Sequence, residues 1–295
     1  MLEWFKCPDG DITPVKDCLQ QCRMGNRCLT LPTLHRIAKE REWNGVASTT
    51  QLLNGTMNAF LKLTQPYAID PDSMIFAIHG ENVHKVLEDE ANKLGLPAEI
   101  ALNLDRDIFD LLEPSGDGQS WTLTDYKAWG SYRVMKVLGI VESGKKPNPN
   151  GEVYQKSGKW GAAGSPKMVT VFKQFPQQAD NFDAELQLNR YRVILEERGI
   201  KVSKMLIQVL VRDGSLAIAR SRGIERNSYL IPVKLLDDAY VRDYFKTKDN
   251  NLHQALDSGS WSQPCDNREC WDGVRCRNYC EVWQYCTKGL LEHKE

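Results

Sequence analysis

No run of about 18 apolar residues occurs in this 295-residue chain, so nothing in it reads as a membrane-spanning helix. The N-terminal stretch MLEWFKCPDG lacks the apolar core of a leader peptide. That makes a reducing cytoplasm the expected compartment, and disulfides are rare there. No G-x-x-x-x-G-K-[ST] phosphate loop is present, so the chain brings no nucleotide-driven motor of its own. An excess of charge is missing too: the formal net charge is −1, which names no partner. Finally, no cysteine falls between Leu29 and Pro264.

All nine cysteines therefore crowd the two ends. Cys7, Cys18, Cys22 and Cys28 are separated by ten, three and five residues. Cys265, Cys276, Cys280 and Cys286 repeat the same separations, with Cys270 as the odd thiol. Clustered cysteines in a cytosolic chain read as metal ligands rather than a disulfide framework. Four thiolates complete the shell of zinc or of an iron–sulfur cluster. The three-residue gap, where zinc knuckles usually have two, leaves iron open. Zinc in a small structural knuckle is the expectation for the N-terminal four, since nothing there suggests redox work.

Between the ends the pattern is mixed α/β. Short helices are expected in TLPTLHRIAKEREW and in STTQLLNGTMNAFLKLT, the latter with Ser48 as N-cap. Residues 73–95 carry helical spacing despite Gly80. DIFDLLEP and SWTLTDYKAW read as strands joined by the turn SGDG, and SYRVMKVLGIV as helix. Residues 142–173 are rich in Gly, Pro, Asn and Lys and read as a long loop or flap. A helix ending at Gly199 follows. Then comes a β-hairpin about Asp213–Gly214, formed by KMLIQVLVRDG and SLAIARSRG. SYLIPV is a further strand and LLDDAYVRDYFKTKDNNLHQAL a last helix.

Four signals occur in order. His84 and Glu88 share a helix face in GENVHKVLE. Asp110 lies in DIFDLLEP. Asp125 and Lys127, two apart on a strand, lie on one side of it. Gln187 and Tyr191 share a face in QLNRY. Such a set suits metal-dependent phosphodiester hydrolysis. Asp110 and Asp125 are hard oxygen ligands for Mg²⁺ or Mn²⁺, and His84 tilts the choice toward Mn²⁺. The backbone carbonyl of Tyr126 is a further ligand candidate. Lys127 is placed to orient water or stabilise charge on phosphorus. His84 is preferred to His79 by the G-x-x-x-H-x-x-x-E pattern. Asp110 is preferred to Asp107, which faces the other side of its strand, and Glu113 reads as a surface residue. Arg190, Arg192 and Arg198 read as a solvated face pairing with Glu196 and Glu197, with DNA contact as the alternative.

The ordered stretches GENVHKVLE, IFDLLEP, LTDYK and QLNRY resemble the motifs of the RecB-like branch of the PD-(D/E)XK nuclease superfamily. CRNYCEVWQYC is similar to the motif with which its iron–sulfur-containing members, AddB-type helicase–nucleases and CRISPR-associated exonucleases, close the domain. The resemblance covers roughly residues 48–286. It implies His84, Asp110 and Asp125 as metal ligands, Lys127 as the catalytic lysine, and Gln187 and Tyr191 as supports. It also implies Cys276, Cys280 and Cys286 as ligands of a [4Fe-4S] cluster. Cys265 is chosen as the fourth by analogy with the N-terminal spacing, and Cys270 and the N-terminal cysteines compete with it.

The expected architecture is an α/β restriction-endonuclease-like core, a central mixed sheet flanked by helices, with cysteine-rich metal modules at both termini. Residues 1–45 form the first module, 46–260 the nuclease core, and 261–295 the closing cluster. The expected activity is a Mg- or Mn-dependent deoxyribonuclease acting on ends or single strands, in recombination, repair, phage DNA processing or CRISPR adaptation. A helicase, recombination or CRISPR protein would be its partner. In the flap, Lys156, Lys159 and Lys167 with Trp160 would grip DNA, against the plainer reading of a solvated loop. The alternative for the whole chain is a non-catalytic zinc or iron–sulfur adaptor that binds DNA or protein.

Overall fold

The computed structural model describes residues 1–294; the last residue of the expected closing segment lies outside the described residues. Strand β1 (Leu2–Lys6) pairs antiparallel with β2 (Ile12–Pro14) and parallel with β3 (Tyr67–Ile69). Helices α1 (Val15–Gln20), α2 (Leu31–Ala38), α3 (Thr49–Leu53) and α4 (Thr56–Thr64) occupy the sequence between β2 and β3. The sheet thus crosses the boundary expected near residue 45. So does the core beneath it, where Phe5 and Leu34 join Leu52 and Phe60.

The single helix expected over residues 48–64 is two. Ser48 caps α3 as expected, in a reciprocal pair with Gln51. The chain then breaks at Gly55, whose φ is +92°. A Cβ there would lie 2.6 Å from Glu269 Oε2 and 3.1 Å from Cys265 Sγ. Glycine is required both for the turn and for the close approach of the C-terminal segment.

Helix α5 (Ile75–Lys93) forms as expected and leads into the central sheet. That sheet has five strands in the order β10-β9-β6-β5-β4. Its strands are β4 (Ala98–Asn103), β5 (Arg106–Pro114), β6 (Trp121–Trp129), β9 (Val202–Val211) and β10 (Ser228–Pro232). Neighbours are antiparallel except β6 and β9, which run parallel. A parallel pair needs a long crossover. Here it runs through α6 (Ser131–Val137), β7 (Ile140–Pro147), β8 (Met168–Gln174) and α7 (Phe182–Glu197). Leu123, Ile207 and Val209 of the sheet pack with Val134 of α6 and Leu188 and Leu195 of α7.

Three expectations need correction. Residues 142–173 are a long loop only between 148 and 167: at its base β7 and β8 pair as a two-stranded antiparallel arm. Its strands lack a buried face, so no apolar alternation marks them. The helix expected in SYRVMKVLGIV stops at Val137, because Ile140 and Val141 already belong to β7. The hairpin about Asp213–Gly214 does not form. Strand β9 pairs instead with β10, and SLAIARSRG supplies the short helix α8 (Ala217–Arg220).

Helix α9 (Asp238–Ser258), capped by Asp237, packs Val241, Phe245 and Leu252 into the core shared with α4. The chain closes through α10 (Val274–Asn278) and α11 (Thr287–Glu292). No described helix is long and apolar enough to cross a membrane.

Candidate functional site

The antiparallel register of β5 and β6 matches Leu111 with Thr124 and Leu112 with Leu123. One more step in the same register sets Asp110 beside Asp125. Both carboxylates are buried, and the Tyr126 N–H donates to Asp110 Oδ2. Lys127 Nζ lies 2.6 Å from Asp125 Oδ2. From α7, Gln187 Nε2 donates to Asp125 Oδ1 and to Tyr191 Oη, each at 3.3 Å. Gln187 thus joins Asp125 to Tyr191, one turn further along α7.

His84 reaches the same place from α5. Its Nδ1 is 2.9 Å from Glu99 Oε1 and 3.6 Å from Asp110 Oδ1. His84, Glu99 and Asp110 each offer a ligand atom within 4.8 Å of the other two. The structure links Asp125, Lys127, Gln187 and Tyr191 by hydrogen bonds and places His84 beside Asp110, but the three donors that converge include Glu99 and not the expected Asp125. For Tyr126 the recorded contact is its amide, not its carbonyl. Glu99 is the member that sequence reasoning missed. It sits on β4 with φ +51°, a conformation strained for glutamate, in a six-residue strand that no motif marks.

The electrostatics follow from this crowding. Burial, and then the Asp125 charge, push the Asp110 carboxyl up to about 7 against the pull of Lys127 and His84. The hydrogen bond to Glu99 leads in raising the His84 value; burial opposes it and Asp110 adds to it. Burial pulls the Lys127 ammonium down, but Asp125 and Asp110 together outweigh it and leave the value raised.

The rejected neighbours have other roles. His79 is exposed. Asp107 is buried and fully engaged: Thr49 donates from N and Oγ1 at 2.6 and 2.7 Å, and Asn103 from Nδ2 at 2.9 Å. Arg190 pairs with Asp107 at 3.0 Å. Arg190 and Arg192 therefore do not form the expected solvated face, although the expected Arg192–Glu196 pair is present. Arg192 is buried too, bonding Glu196 at 2.7 Å and Asp238 at 2.6 Å, while Arg198 donates to the Leu102 carbonyl.

At the C-terminus, Cys265, Cys276, Cys280 and Cys286 line one small cavity with Met57, Asn58 and Leu61 of α4. Asn58 Nδ2 donates to Cys280 Sγ at 3.6 Å and is held by Arg275 Nη2 at 3.0 Å. Burial pushes the Cys265 thiol up to about 12 and the Cys276 thiol up to about 11. Cys270 is buried outside that lining, with its Sγ accepting from the Gly273 N–H at 3.4 Å.

The N-terminal thiols also gather. Burial raises the Cys18 value, and the proximity of Cys22, Cys28 and Cys7 adds to it. Cys7 Sγ lies 3.3 Å from Thr13 Oγ1, and Cys22 Sγ donates to the Asn26 carbonyl at 3.2 Å. Among the described residues, no three cysteine sulfurs lie within 4.8 Å of one another.

Trp160 is 77% exposed at the arm's tip, with Lys159 Nζ 5.3 Å from its ring, and Lys167 pairs with Glu152 at 3.0 Å. Lys156 is exposed. Set beside known proteins, the chain matches no family model, no curated protein and no solved structure.

Proposed function

We propose that this chain is a divalent-metal-dependent nuclease with a restriction-endonuclease-like core, cutting DNA at ends or in single strands. One observation carries the reading. Three metal donors, His84, Glu99 and Asp110, converge beside an Asp125–Lys127 pair on the neighbouring strand. Two hard carboxylates and one imidazole fit Mn²⁺ or Mg²⁺. Asp125, on the neighbouring strand and held by Lys127 and Gln187, would be a further ligand from outside that trio. A bound cation would polarise the phosphate and lower the pKa of a bound water.

The remaining chemistry belongs to the chain. Glu99 and Asp110 both face the same His84 nitrogen, Nδ1, so that nitrogen and the two carboxylates would turn to one cation together. Gln187, itself bonded to Tyr191, holds the Asp125 carboxylate. The Lys127 ammonium stays charged beside the acids, where it can hydrogen-bond the attacking water or stabilise charge growing on phosphate oxygens. Asp110 releases its proton when a cation takes its place.

The C-terminal cysteines fit an iron–sulfur cluster. A tetrahedral zinc site with Zn–S bonds of about 2.3 Å draws its sulfurs to about 3.8 Å. These four line one shared cavity between α10, α11 and α4. The N-terminal four lie partly in the irregular segment 21–30, with Cys28 exposed, and that segment can close on a single ion; zinc is the reading there. The basic arm would grip the DNA backbone through Lys156, Lys159 and Lys167, with Trp160 stacking on a base. Recombination, repair, phage DNA processing and CRISPR adaptation are the settings that fit, with a helicase or recombination protein as partner.

The test is cleavage of linear and circular DNA with Mn²⁺ or Mg²⁺, beside Asp125→Ala and Lys127→Ala. Cleavage by the wild type, reduced on the order of 100-fold or more in both variants, supports the reading. Equal cleavage by all three, or none with either cation, favours the non-catalytic adaptor.

A further inference from the structure

Beyond Lys127, strand β6 runs on into a rim where cations lie against aromatic rings. Trp129 is on the same side of β6 as Asp125 and Lys127, about 7 Å past the lysine. Arg133 lies 5.4 Å from the Trp129 ring. Arg212, the residue after β9, donates its N–H to the Trp129 carbonyl and stacks its guanidinium 4.1 Å over Phe76. Lys136 and Arg222 flank Tyr132 at 4.9 and 5.7 Å. Phe76 is 62% exposed and Tyr132 is 54% exposed. Phe76 also belongs to α5, about 12 Å along that helix from His84. The rim is therefore connected to the candidate acids along both β6 and α5.

Its charges are not all spoken for. Arg133 pairs with Asp180 at 3.3 Å and Arg222 with Asp213 at 3.6 Å. Arg212 and Lys136 have no carboxylate within 4.0 Å among the described residues. Exposed rings beside uncompensated cations suit a ligand with both flat faces and negative charge. Unstacked bases on a phosphate backbone have both, whereas a duplex hides its base faces.

We infer that this rim, with Phe76 and Arg212 at its centre, seats a single-stranded DNA segment and leads it to the acids. The inference rests on the nuclease reading and names the form of its substrate. Arg212 neutralises phosphate, Phe76 and Tyr132 offer stacking faces, and Trp129 marks the step toward Lys127.

The test is binding of a fluorescent oligodeoxythymidylate, followed by anisotropy without added divalent cation, against a duplex of equal length. Phe76→Ala and Arg212→Ala sit on the surface, and matched thermal melts confirm that both fold. Each is expected to weaken single-strand binding about tenfold, the scale of one lost stacking or cationic contact. Arg212→Ala should also flatten the salt dependence, and Phe76→Ala should not.

Wild-type strength in both rim variants, or duplex or oligoribonucleotide bound more tightly than the single strand, overturns the inference. The nuclease reading fails separately: a wild type that binds through the rim yet cuts nothing with Mn²⁺ leaves the binding site standing without the activity.

Discussion

His84, Glu99 and Asp110 press three titratable groups into one small volume, and the result is a proton trap in the absence of a cation. Asp110 folds with a value near 7, whereas an unfolded aspartate titrates near 4. His84 is also raised. Both groups thus hold protons in the folded chain that the unfolded chain releases. Their contribution to stability is full below the unfolded values and is lost as pH rises through the folded ones. The cation-free protein should melt at a lower temperature near pH 8 than near pH 6. Asp110→Asn should shrink that difference, since it removes the larger titration. A melting temperature that rises over this window, or an Asp110→Asn variant with the wild-type slope, would contradict the placement of these groups. The first and third members of the trio were legible because local spacing announces them. Glu99 was not, since its role comes from a left-handed backbone turn within β4 and a partner fifteen residues away.

At the scale of elements, α7 joins the site to the rest of the fold. One face offers Gln187 and Tyr191 to Asp125; another buries Arg190 against Asp107 and beneath Phe245. Asp107 also caps the start of α3, so one carboxylate ties β5, α3 and α7 together. Asp107→Ala should lower the unfolding free energy by about 3–5 kcal/mol, because it strands a buried guanidinium. Denaturant titration reads this directly, and a loss under about 1 kcal/mol would show that Arg190 finds water or another partner. Sequence alone misjudged this helix. Arg192 and Glu196 at i,i+4 look like an exposed pair, and nothing local reveals that Asp107 and Asp238 reach the arginines from far along the chain. The misplaced hairpin has the same origin. β9 takes its partner from Ser228–Pro232, and the tempting Asp213–Gly214 turn feeds a short helix instead. Conversely, the strands carrying Asp110 and Asp125 were legible, because apolar residues frame them and a tight turn joins them.

For the whole molecule, the termini fold back on the structure rather than hang from it. β1 pairs with β3, and the C-terminal cysteines wall a cavity against α4, so both ends share one core with α4 and α9. The cysteine spacing was readable at once; that Gly55 breaks a helix to admit Cys265 was not, because close approach leaves no periodic trace. Anaerobically purified protein should carry about four irons with matching sulfide, plus zinc. Cys276→Ser should lose the iron, while Cys270→Ser should keep it. Protein with neither metal, or iron that depends on Cys270, would contradict these assignments. The most direct check on the central claim is manganese binding followed by electron paramagnetic resonance of the free ion. One Mn²⁺ per chain is expected in the wild type and in Lys127→Met, with binding lost in Asp110→Asn and sharply weakened in His84→Ala. A wild type that binds no manganese, or an Asp110→Asn variant that binds it equally well, would show that these side chains do not form a cation site.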